Sequence, residues 1–596
     1  MDRGLLESMT QGLAFRGPDR QGIWCDGPVG LGHALLQAES GVAVEKQPAG
    51  LNGDLWIAAD ARIDARAELV EKLKAKSQTA SALSLSTPDA ELILHAYGIW
   101  GEACVEHVLG DFSFAIWDAK RRRLFCARDH FGVKLFYYSR AASSIVFSNT
   151  PACVRQHPAV SGRLNDLAIA DFLLFDGNQD PATTSLADLQ KLPPAHALTL
   201  ERQNISTRRY WDLSVTTPVH YSRDEEYVER FRELLDLAVA DRLHTESAGI
   251  LMSGGLDSPT VAASAQRIRS RSRHATSLQA YTEVFDSLIP DEERHFAKLV
   301  ANALNIPIQF LPSDECRLFD GADLSSNLSP EPAHSPLARA GLNRLRQVAA
   351  RSRVLLTGDG SDPGFSSRIS IHFRQLIEKR RFGRALGDAA RYLAAEGRLS
   401  RLYLRTRWRL LFGPKGDSGA YPLWLDEDLE KRLGLRDRWE SQTRVSARPH
   451  MLRPEAHEWM VDPMWQNIFE GFDAGLTGIP VEVRYPFFDL RLVNFLLALP
   501  SLPWCPDKEL LRVAGRGVLP DEVRLRRKSP LRFDPVIALL NQPEASWVDH
   551  FEPVPELRRY VVRSRIPAVH WEKNSRTAWT HLRPLSLNFW LHGYTR

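Results

Sequence analysis

The sequence predicts an α/β protein in two unequal parts, a layered domain of antiparallel sheets over residues 1–205 and a parallel-sheet domain over 206–596. Three observations predict it. At 596 residues the chain exceeds what one hydrophobic core organises, so two domains or more are expected. The first third carries short alternating or apolar runs broken by Gly, Asp and Asn, which is strand texture. Beyond about residue 205, strands alternate with helical patterns, the signature of a parallel sheet covered on both faces.

Taken in order, strand-like runs fall at 55–59, 112–117, 124–127, 135–138 and 144–148, with one helix expected over 90–97, ahead of Trp100. The texture changes at 208–213, Arg-Arg-Tyr-Trp-Asp-Leu. A long amphipathic helix is expected over about 225–243, then a buried strand at 249–252, a Gly-rich turn and a helix from near Ser258. The alternation continues with a strand at 279–285, a helix at 293–304 and a strand at 354–357. An Arg-rich helical stretch over 373–411 reads either as a solvated face or as a docking surface for an acidic peptide or partner.

Composition narrows the class. Hydrophobic content of 44% and charged content of 25% are those of an ordinary soluble protein. A formal charge of +3 argues neither for nor against nucleic acid, and no nucleic-acid-binding module is visible. The six cysteines are scattered with no C-x-x-C pair, so neither a disulfide framework nor a zinc site is expected. With no signal-like apolar region at Met1 and no apolar run of membrane-spanning length, a cytoplasmic protein is expected.

The strongest local signal is Ser253-Gly254-Gly255-Leu256-Asp257-Ser258, directly after the expected strand at 250–252. Two glycines let the backbone turn tightly and bring N–H groups close to phosphate oxygens. The hydroxyls of Ser253 and Ser258 donate to the same oxygens, and the following helix N-terminus favours negative charge. Asp257 repels a bare phosphate, so it implies a Mg2+ ion between carboxylate and phosphates. No G-x-x-x-x-G-K-[ST] occurs. The hexapeptide resembles the pyrophosphate loop of N-type ATP pyrophosphatases, which split ATP between its α and β phosphates.

Three later segments extend the resemblance to the asparagine synthetase family, in the expected order. Leu355-Leu356-Thr357-Gly358-Asp359-Gly360-Ser361-Asp362 resembles the family's strand-ending G-[DE]-G-x-D-E loop. Val483-Arg484-Tyr485-Pro486-Phe487-Phe488-Asp489 resembles its EVRxPFLD segment, with Arg484 and Asp489 expected in structural roles. Lys508-x-x-Leu511-Arg512 is followed by Arg526-Arg527-Lys528. The resemblance implies an ATP site built from Leu251, Ser253, Gly254, Gly255, Leu256, Asp257, Ser258 and Gly358. It implies Mg2+ on Asp257 and Asp362, Asp359 as a base near the reacting amine, and Lys528 neutralising pyrophosphate and the developing adenylate charge. The implied folds are an Ntn-hydrolase-like layer followed by an adenine-nucleotide α-hydrolase-like sheet.

The amino-terminal part resembles the family's class II glutaminase domain at Arg16-Gly17-Pro18-Asp19, at Gly110–Asp118 and at Ala127–Lys134, but departs where glutamine is held. Asp2 stands after Met1 where the family has its nucleophilic cysteine. The arginine that grips the glutamine carboxylate falls at Leu35, and the N-G-E triplet falls at Asp60-Ala61-Arg62; only the acidic position at Asp89 survives. Glutaminase activity is therefore not expected. The loop also continues Asp362-Pro363-Gly364-Phe365 where the family has Asp-Glu, which puts a free-amino-acid pocket in doubt.

Within the family the chain is most similar to lasso-peptide macrolactam synthetases. That resemblance implies a precursor core peptide as substrate, with a leader-peptide protease and a leader-binding protein as partners. Alternatives are an ammonia-dependent asparagine synthetase, a β-lactam-synthetase-like cyclase or a non-catalytic scaffold.

Overall fold

In the computed structural model, the described residues are 2–39, 43–141, 144–271, 276–321, 329–332, 335–367, scattered positions between 373 and 387, 420–443, 452–526 and 534–595. The Arg-rich stretch falls outside them apart from those scattered positions, and Lys528 lies outside them altogether.

The amino-terminal part begins with a helix, α1 (Arg3–Gln11), and a two-stranded ribbon, β1 (Arg20–Asp26) and β2 (Val29–Leu35). A six-stranded antiparallel sheet follows. Its members are β3 (Ala49–Leu51), β4 (Leu55–Asp64), β5 (Leu109–Asp118), β6 (Arg123–Arg128), β10 (His196–Glu201) and β11 (Asn204–Arg209), in the order β11-β10-β6-β5-β4-β3. Helices α2 (Arg66–Lys76) and α3 (Asp89–Trp100) lie within its chain span. A smaller antiparallel sheet joins β7 (Tyr137–Ala141) to β8 (Ser144–Ser148) and β9 (Gln190–Lys191), followed or flanked by α4 (Pro151–Val154) and α5 (Asp166–Phe175).

Strand β5 shows why this is a layered domain. Phe112, Phe114 and Ile116 point to one face, where they pack with α3 residues Leu92, Ile93 and Ala96. Ala115, with Trp117 beside it, turns to the other face, towards Phe136 and Tyr138. Both faces are covered, so the strand is apolar on both.

The carboxy-terminal part opens with α6 (Asp224–Arg242), whose Tyr227, Phe231, Leu234, Leu235 and Val239 recur at helical spacing and are buried. Next come β12 (Ser247–Leu251), α7 (Asp257–Arg271), β13 (Ser277–Val284), α8 (Glu293–Leu304), β14 (Ile308–Pro312), β15 (Val354–Leu356) and β16 (Glu482–Arg484). The five strands form one parallel sheet, ordered β14-β13-β12-β15-β16. The expected fold class holds in both parts. The expected run at 135–138 begins earlier than the pairing does, because β7 pairs only from Tyr137.

The two parts meet through buried charge. Arg62 of β4 bonds Asp111 of β5 at 2.6 Å and also pairs with Asp64. Arg242 reaches Asp489 at 3.1 Å and Asp64 at 3.3 Å, and Arg491 bonds Asp241 at 2.6 Å and Asp489 at 2.7 Å. Such buried groups are tolerable only because each is paired. Arg484 and Asp489 are both structural, yet they do not pair with each other: Arg484 bonds Glu482 and the Arg242 carbonyl. Among the described residues no helix is long and apolar enough to cross a membrane.

Candidate active site

Open parallel sheets bind ligands beyond the carboxyl ends of their strands. Here β12, β15 and β13 lie side by side, so the loops that follow them converge. After β12, Met252 is held by β13: its N–H donates to the Tyr281 carbonyl, and Thr282 Oγ1 donates to the Met252 carbonyl at 2.7 Å. The loop then closes on itself. Ser253 N–H donates to Ser258 Oγ at 2.9 Å, the two serine hydroxyls lie 3.1 Å apart, and Gly255 N–H donates to Ser253 Oγ at 3.2 Å.

Two glycines are required by close approach. A Cβ on Gly254 would lie 2.4 Å from Phe296 Cβ of α8, and one on Gly358 would lie 2.6 Å from the Ser258 nitrogen. The loop after β15 therefore rests directly on the amino-terminal turn of α7. Thr357 ties it to the next strand, its N–H donating to the Arg484 carbonyl.

This packing brings the two expected metal carboxylates to one point. Lys508 Nζ donates to both oxygens of Asp257 at 2.6 Å and lies 2.7 Å from Asp362 Oδ1. Ser361 Oγ adds a bond to Asp257 Oδ1 at 2.8 Å. The lysine is aimed by an unusual turn, with Asp507 at φ 49° and Lys508 at φ 57°. Left-handed backbone at each costs about 1–3 kcal/mol and persists where surroundings over-determine it. Arg512 supplies that restraint, donating from Nε to the Asp507 carbonyl at 2.8 Å and from Nη2 to the Arg526 carbonyl at 2.9 Å.

Asp257 and Asp362 fit a magnesium site: they converge on one cation already, and Mg2+ is commonly held by one or two carboxylates plus substrate phosphates. Another acidic trio, Asp64, Asp241 and Asp489, also converges, but it sits at the joint between the two parts and is neutralised by Arg62, Arg242 and Arg491. Asp359 follows β15, its N–H donating to Thr357 Oγ1 at 3.3 Å. Burial pushes its carboxyl above the ordinary range, and nearby Asp257 and Asp362 push the same way against Thr357 and Arg344.

Sequence reasoning chose Lys528 and treated Lys508 as a marker; among the described residues Lys508 is the lysine at the carboxylates. It also passed over Glu293 and Arg526 at the loop. Glu293 opens the helix after β13, on the same ligand-binding edge of the sheet, and that position is the signal that points to it.

Residues 230–592 match the family described as asparagine synthase, and residues 1–211 match the glutamine amidotransferase domain. The chain belongs to the asparagine synthase family. It is an asparagine synthetase-like, ATP-dependent carbon–nitrogen ligase. It is 25% identical over 553 residues to asparagine synthetase [glutamine-hydrolyzing] 3 of Bacillus subtilis, covering 89% of this chain and 84% of that protein. Asparagine synthetase [glutamine-hydrolyzing] 2 of the same species is 24% identical over 89% of this chain and 69% of its own. Amidase chry2 of Gibberella zeae is 26% identical over 63% of this chain and 56% of its own.

A cavity of about 1390 Å³ lies where the amidotransferase part meets residues 469–485 of the carboxy-terminal part, lined among others by Arg16, His33, Leu35, Asp60 and Lys134 and by Asp473 and Glu482. The charges around Asp60 on its wall are already paired. Asp60 bonds Arg16 at 2.8 Å and Lys134 at 2.7 Å, Lys134 also reaches Glu482 at 3.4 Å, and Arg16 pairs with Asp473. Burial opposes ionisation of Asp60, but Lys134 and Arg16 outweigh it and hold the carboxyl far below the usual range. Burial lowers His33 to about 4, so it is neutral at pH 7. Leu35 is buried, and Arg62 is spent on Asp64 and Asp111.

Proposed function

We propose that this ligase closes a macrolactam in a precursor peptide, joining the peptide's own N-terminal amine to an Asp or Glu side chain, as lasso-peptide macrolactam synthetases do. The observation that carries the reading is the contrast between the two parts. The positions that would hold glutamine are Leu35 and a closed ion-pair network on Asp60, while the ATP loop and the Asp257–Asp362 pair are intact. With no internal ammonia, the amine comes with the substrate. Pro363, Gly364 and Phe365 are buried after Asp362, which argues against a free-amino-acid pocket at that loop.

In this mechanism the loop 253–258 seats the triphosphate, and its N–H groups and serine hydroxyls meet the phosphate oxygens. Asp257 and Asp362 would hold Mg2+, which supplies charge neutralisation to the phosphates. A peptide carboxylate oxygen attacks the α-phosphorus and pyrophosphate leaves. Lys508, and Lys528 by family resemblance, offset the negative charge that develops there. The amine then attacks the acyl carbon, AMP leaves with the oxygen, and Asp359 takes the amine's proton. A raised affinity for protons suits Asp359 to that task. Holding the peptide folded makes the second step intramolecular. A leader-peptide protease and a leader-binding protein would deliver the substrate.

The test is mass spectrometry of a leader-free candidate peptide, from a reading frame beside this one, after incubation with the enzyme, ATP and Mg2+. Loss of one water with equimolar AMP, abolished by Asp257→Ala, is the expected result. An untouched peptide, with aspartate plus ammonium giving asparagine and AMP, would replace this reading by ammonia-dependent asparagine synthesis.

A further inference from the structure

The phosphate loop already holds an anion of its own. Gly254 N–H donates to Glu293 Oε2 at 2.5 Å, a short charge-assisted bond from α8 to the loop that would cradle phosphate. Arg526 completes the contact. Its guanidinium lies 3.9 Å over the Phe296 ring and within 3.4 Å of Glu293 Oε1, Glu292 Oε2 and the Gly254 carbonyl. All three polar contacts are long, so the ring and the Arg512 tether at its backbone fix the guanidinium's place more firmly than any one acceptor does.

One N–H does not serve a carboxylate and a phosphate oxygen at once, and two anions a hydrogen bond apart from one donor repel. A phosphate that takes the loop must expel Glu293. Arg526 then loses a counterion while standing beside the new one.

We infer that Glu293 is a built-in competitor for the pyrophosphoryl group of ATP at Gly254, and that Arg526 is the guanidinium that passes from Glu293 to that group. The inference rests on the adenylating reading of the loop and deepens it. Its consequence is directional: ATP enters against Glu293, and after the α–β bond breaks the returning carboxylate drives pyrophosphate out. Glu293 and Arg526 therefore shift pyrophosphate affinity in opposite senses.

Isothermal titration of the full chain with pyrophosphate and with ATP, at fixed Mg2+ and without any carboxylate substrate, reads this directly. Glu293→Gln keeps the shape and removes the charge, and is expected to bind pyrophosphate about tenfold tighter, the scale of one charge-assisted hydrogen bond. Arg526→Gln is expected to bind it about tenfold more weakly, with Arg526→Lys in between. A misfolded protein does not gain affinity, so the Glu293→Gln result stands apart from damage. Unchanged or weaker binding in Glu293→Gln would overturn the inference and make Glu293 a buttress or a magnesium ligand. Unchanged binding in Arg526→Gln would overturn the transfer. If the wild-type chain binds neither ligand, the adenylating reading itself fails, which is a different outcome from either.

Discussion

Replacing Lys508 by Gln probes the centre of the site. The ammonium bridges Asp257 and Asp362 at 2.6–2.7 Å, with 11% of its side chain exposed against 29% and 37% for the two carboxylates. A hydrogen bond to a charged group is worth ~1.5–3 kcal/mol. Partial exposure of both carboxylates favours the low end, about 1.5 kcal/mol for each of the two partners, so the bridge contributes about 3 kcal/mol to the resting site. In the reaction the same cation faces charge building on the phosphates, where loss of one aimed donor costs about 10²–10³ in kcat. The assay is AMP release under saturating ATP for Lys508→Gln and Lys508→Arg, beside thermal unfolding with and without Mg2+. The glutamine variant should lose at least about 10² in kcat and should gain more thermal stability from Mg2+ than the wild type, because two carboxylates are left without their cation. A kcat within threefold of wild type would refute the placement of this lysine at the chemistry.

Asp359→Asn should abolish amide formation while leaving ATP–pyrophosphate exchange, because the base acts after the adenylate forms. Since burial raises the Asp359 carboxyl, the acid limb of the wild-type kcat profile should lie above the ordinary carboxylate range, activity falling as pH drops through it. Asp60→Asn leaves Lys134 and Arg16 short of a buried partner and should cost about 3–5 kcal/mol in urea unfolding. Because the folded Asp60 carboxyl is held low, its stabilisation is present above about pH 4 and fades as pH falls further, and the variant should lose that dependence. Phe231→Ala, at a fully buried position of α6, should cost about 3–5 kcal/mol in the same measurement without altering ATP affinity.

The local features were legible in the sequence because they follow from short-range physics. Short alternating or apolar runs marked β5 and β8, helical spacing marked α6 and α8, and two glycines between an apolar run and a helix marked the phosphate loop. Losses at Leu35 and Arg62 were also readable, since an apolar side chain pairs no carboxylate and a cation attracts no ammonium. Partner choice was not legible. Lys508 meets Asp257 across 251 positions, and Glu293 meets Gly254 across 39. Strand β13 beside β12 brings Glu293 to Gly254, and the turn at 506–508, well beyond β16, brings Lys508 to Asp257. Arg484 and Asp489 show the same limit: structural roles were expected for both, but their partners came from β16, α6 and Arg491 in the helix that follows Asp489. Period and propensity act over a few residues, so the sequence alone determined the elements, the loop and its chemistry. Which charges meet was decided by the packed sheet, because a buried charge takes whatever counterion the tertiary structure brings within reach.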